Sequence, residues 1–75
     1  MILQFEQFKG TIENPTITIT KVNDDIINKV CSVEILMQVD NATFHSLLEG
    51  FTYVDTWEDV DIENWVSVKI LEYQI

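Results

Sequence analysis

The sequence predicts a small α+β domain: an antiparallel sheet of four to five strands with one helix, over about 42–49, packed on one face. Three stretches carry that expectation. Thr16 to Val22, TITITKV, alternates Thr16, Thr18 and Thr20 with Ile17 and Ile19 and is rich in β-branched residues. Val30 to Val39 places Cys31, Val33, Ile35, Met37 and Val39 on one strand face, opposite a mixed face of Val30, Ser32, Glu34, Leu36 and Gln38. Phe44, Leu47, Leu48 and Phe51 recur at the spacing of one helical stripe.

Taken in chain order, Met1 to Phe8 reads as a first strand whose imperfect phase implies a bulge. Glu13-Asn14-Pro15 reads as a turn, because Asn-Pro starts turns and proline cannot donate to a ladder. The strand at 16 to 22 follows, then a loop from Asn23. Ile26 and Ile27 are expected to tuck against the core. After the long central strand at 30 to 39, Asp40 or Asn41 is placed to cap the helix at 42–49, and Gly50 to end it in a left-handed conformation. Phe51 to Asp55 reads as a short strand or an extended return. Two patterns compete over 56 to 63. Thr56-Trp57-Glu58-Asp59 fits a capping box, whereas Val60 and Ile62 alternate with Asp59, Asp61 and Glu63 as in a strand. Trp65 to Tyr73 reads as the last strand.

The 75 residues suffice for one domain, 1–75, and 47% of them are hydrophobic, too many for a disordered acidic tail. No apolar run approaches the length of a membrane span, and MILQFEQFKG does not have the form of a signal peptide. With Cys31 as the single cysteine, no internal disulfide forms, which fits a reducing cytoplasm.

Charge is the strongest compositional signal. Thirteen acids face four lysines and no arginine, giving a net charge of −9. Binding to a nucleic acid backbone or to an anionic membrane needs lysine and arginine, so neither is expected. A cationic protein partner is favoured.

The inventory for chemistry is thin. Cys31 lies in an apolar strand face, where burial makes a thiol inert. His45 is the only histidine, and Gly10 and Gly50 are too far apart for a phosphate loop. Zinc would want a Cys/His cluster, and calcium would need Asp59, Asp61 and Glu63 to converge. No catalytic residue, cofactor or metal is therefore expected. The candidate binding residues are Asp55, Trp57, Glu58, Asp59, Asp61, Glu63 and Trp65, within a stretch that contains no base. On a strand, Asp59, Asp61 and Glu63 would project in a row about 6 to 7 Å apart, resembling the regular charges of a nucleic acid backbone. Trp57 would be the anchor beside that row. Glu49 and Asp40 would widen the patch.

In size and composition the chain resembles the small acidic proteins of phages and other mobile elements, many of which inhibit host nucleic-acid enzymes. The resemblance implies an inhibitor or anti-defence role against such an enzyme. The competing expectation is a structural or assembly protein, such as a homodimer, associating through the second face of its last strand.

Overall fold

The computed structural model describes residues 1–75. It contains five strands in two antiparallel sheets and one helix, so the α+β class holds. Strands β3 (Thr16–Asp25), β4 (Val30–Val39) and β5 (Ala42–Thr52) form the main sheet in the order β3-β4-β5. Strands β1 (Ile2–Leu3) and β2 (Ile12–Glu13) make a small second sheet. Helix α1 (Asp59–Ile70) continues into a 3₁₀ turn at Leu71–Tyr73.

The alternation in β4 works as its spacing implies. Cys31, Val33, Ile35 and Met37 are buried on one face. The register brings Ile17 and Ile19 of β3, and Phe44, Ser46 and Leu48 of β5, onto that same face. Helix α1 covers it with Ile62, Val66 and Ile70, four residues apart. Leu3, Phe5 and Ile12 close the end of this single core. The chain ends are stitched together there: the Gln4 N–H donates to the Tyr73 carbonyl at 2.9 Å, and the Ile75 N–H to the Ile2 carbonyl at 3.0 Å. Phe5 stacks on Tyr73 at 4.3 Å between ring centroids.

The helix sits elsewhere than its expected position at 42–49. Residues 42 to 52 are strand β5, and Asp40-Asn41 is the two-residue hairpin turn before it, with Asp40 at φ +51°. The apparent helical stripe comes from a bulge. Inward positions run Phe44, Ser46, Leu48. The ladder is then interrupted between Cys31 and Val33, so that Cys31 faces Phe51. The extra residue moves the next inward side chain from 50 to 51, and 44, 48 and 51 then mimic a helix spacing. Leu47, the fourth member of the stripe, points to the other face and is 45% exposed. Gly50, at φ +91°, lies at this bulge instead of capping a helix.

The expected strand at 65 to 73 is helix and 3₁₀ turn. Alternating Val66, Val68 and Ile70 conceal a four-residue stripe. Val66 and Ile70 are buried with Ile62, while Val68 is 69% exposed. The first strand is only two residues long, and Phe5 to Phe8 turn instead of extending. Ile26 and Ile27 do not tuck inward. They occupy the tip of the β3–β4 hairpin, where Ile27 is 92% exposed.

The helix leans toward β5. Trp65 stacks on Phe51 with centroids 6.0 Å apart, and Lys69 Nζ approaches Gly50. The β3 side is left less covered, and Ile17 and Ile19 are only half-buried. The opposite face of the sheet carries no helix at all.

Candidate interaction surface

The acidic stretch belongs to the loop after β5 and the first half of α1 (residues 55 to 63). Glu58 is the N-cap, in an extended conformation. Its N–H donates to the Asp61 carboxylate at 2.8 Å, and the Asp61 N–H donates to the Glu58 carbonyl at 2.9 Å. Asp59 and Asp61 in the first turn also complement the positive end of the helix dipole. The capping reading of this stretch is therefore the correct one, although the cap is Glu58 and not Thr56.

This geometry corrects the row of charges. At about 100° per residue, Asp59 and Glu63 share one side of the helix, one turn apart. Asp61 lies on the far side of the axis and is partly buried. The three carboxylates do not line up, and they do not converge on a metal ion. No group of three or more histidine, cysteine, aspartate or glutamate side chains in the structure is arranged to hold one. Asp55, Glu58, Asp59 and Glu63 are exposed.

Neither tryptophan stands free beside these acids. Trp57 is half-buried and packs against the core, and its backbone N–H donates to the Val54 carbonyl at 3.1 Å. Trp65 is half-buried in its stack on Phe51. Both belong mainly to the fold, and Trp65 does not form an exposed strand face with Leu71 and Tyr73.

The charge is hardly used within the chain. The one salt bridge joins Lys69 and Glu72 at 2.8 Å, which raises the Lys69 pKa. From Val30 to Val68 there are eight acids and no lysine or arginine. Glu49 and Asp40 are exposed, at the β5 bulge and the β4–β5 turn. At the end of the sheet, burial raises the Tyr53 pKa, and the nearby carboxylates of Asp55 and Asp24 raise it further. Lys29 places its ammonium 5.5 Å from the Tyr53 ring centroid. On the covered side of the sheet, burial pushes the Cys31 thiol up to about 11, with Asp24 adding to the effect.

Two surface features escaped the sequence reading. One is the exposed Ile26-Ile27 tip. The turn that presents it is held by Asp25, whose carboxylate accepts from the Asn28 N–H at 3.0 Å and from Asn28 Nδ2 at 2.7 Å. The other is a groove of about 290 Å³ between β3 and α1, lined by Met1, Ile17, Ile19, Val66 and Ile70 together with Glu63 and Ser67. The alternating isoleucines were visible in TITIT. Their incomplete cover follows from the lean of the helix, which no local pattern encodes.

No protein-family model matches the chain, and neither the curated proteins nor the solved structures compared with it contain a match.

Proposed function

We propose that this protein is a small, non-enzymatic binding module of the cytoplasm that engages the basic surface of another protein. The partner class that best fits the charge is an enzyme that handles nucleic acid, whose cationic groove the acidic module would occupy as an inhibitor, in the manner of phage anti-defence proteins. The observation that supports this reading is the unspent charge: one ion pair in a chain of net charge −9. The exposed carboxylates Asp55, Glu58, Asp59 and Glu63 are the core of the surface. Asp61 supports it from within as part of the helix cap. Trp57 and Trp65 hold the acidic segment on the core instead of anchoring the partner. The mimicry is one of net field and patch, since the helix removes the regular charge spacing.

Competition tests the proposal. A partner retained by the immobilised protein from its native cell would be purified, and duplex DNA or RNA titrated against the complex. Displacement of the acidic module by nucleic acid is the expected result. A partner whose retention is indifferent to nucleic acid overturns the groove-binding reading.

A second reading, self-assembly through the sheet, draws on the uncovered outer face, where Leu47 stands 45% exposed across from Glu34. Light scattering distinguishes it, since a strict monomer at high concentration counts against assembly.

A further inference from the structure

Strand β3 is a free sheet edge. Only β4 pairs with it, and no other backbone hydrogen bond in the chain involves residues 16 to 25. Its outward row of N–H and C=O groups therefore has no partner, and an unpaired row of this kind is a template for another strand. The ladder is regular from Thr16 to Ile19 and is broken at Thr20, whose hydroxyl donates to the Glu34 carbonyl at 3.1 Å. The usable edge is thus about one short strand long.

The groove described above runs beside that edge. In a strand added to β3, alternate side chains would fall on the groove side. They would meet Ile17 and Ile19 on one wall and Val66 and Ile70 on the other. These surfaces select aliphatic side chains. The intervening side chains would lie on the face of Thr16 and Thr18. The net charge of −9 selects lysine or arginine at these positions and opposes a second copy of this chain, which would bring the same charge.

We infer that the Thr16–Ile19 edge and the adjoining groove are a docking site for an extended segment of alternating aliphatic and basic residues on a partner protein. The segment adds as a fourth strand of the main sheet. This rests on the reading that the partner is cationic, and it places a second contact next to the acidic segment, with Glu63 common to both.

The test is amide NMR of the full chain, titrated with a short capped peptide of alternating lysine and valine. A control peptide has the same sequence with alternate backbone nitrogens methylated, which keeps the charge and removes the donors of one edge. Amide shifts should concentrate at Thr16–Ile19 and along Glu63–Ile70, with the methylated peptide about tenfold weaker or worse. Equal affinity for both peptides, with shifts confined to residues 55 to 63, would overturn the docking strand and leave the cationic-partner reading standing. Absence of shifts with either peptide also overturns it. So does a sedimentation dimer whose concentration-dependent shifts fall on Thr16–Ile19, because a second copy would then occupy the edge.

Discussion

Cys31 and Asp25 show how single residues respond to their places in the sheet. Cys31 is 3% exposed, and burial with Asp24 nearby raises its pKa to about 11. At about pH 8 only about a thousandth of such a thiol is ionised, and the thiolate is the reactive form. Labelling with an aromatic disulfide reagent should therefore be negligible in the native protein and complete in denaturant. Prompt native labelling would mean that β4 is not covered as described. Asp25 is shifted the other way, below its ordinary 3.8, first by the side chain and then by the backbone N–H of Asn28. A depressed carboxylate pKa adds stability above the unfolded value, lost as pH falls through the folded one. The Asn28 amide signal should hence move with a midpoint below 3.8, and Asp25→Asn should abolish that transition. An unchanged midpoint in the variant would assign the titration to another acid.

At the scale of elements, the bulge in β5 and the cap of α1 decide the fold. Gly50 at φ +91° has space for a methyl group, since a Cβ would meet only Lys69 Nζ at 3.5 Å. Backbone strain alone should make Gly50→Ala cost about 1 kcal/mol or more, read from urea unfolding. A neutral result would mean that the bulge relaxes without glycine. Loss of the Asp61 carboxylate leaves the Glu58 N–H without its partner. Asp61→Ala should cost about 1 kcal/mol and fray the first helical turn, visible in the exchange of its amides.

These same elements explain how much of the fold could be read from sequence. TITIT and the 31 to 39 alternation were legible because each strand keeps its period for several residues before any irregularity. Residues 42 to 52 were not, because the bulge shifts the phase by one residue, and a left-handed glycine serves a bulge and a helix terminus alike. Residues 59 to 70 were ambiguous because Val60, Ile62, Val66, Val68 and Ile70 are β-branched, and both periods pass through them. The acids of the candidate surface were legible as residues. Their arrangement was not, because it depended on that helix.

For the molecule as a whole, the sheet has one covered face, one open face and free edges at β3 and β5, and of the chain's carboxylates only Glu72 is in an ion pair. One ion pair and a net charge of −9 leave a long-range field, and that field is the basis of the proposed activity. Screening reads it directly, because the Debye length falls from about 10 Å at about 0.1 M salt to about 3 Å at about 1 M. The decisive measurement is the dissociation constant for the purified partner across that salt range. It is taken for the native chain and for a variant carrying Asp55→Asn, Glu58→Gln, Asp59→Asn and Glu63→Gln. Native affinity should fall steeply with salt, and the variant should be weaker at low salt with a shallower slope. Equal affinities and a flat salt profile for both proteins would contradict an acidic docking surface.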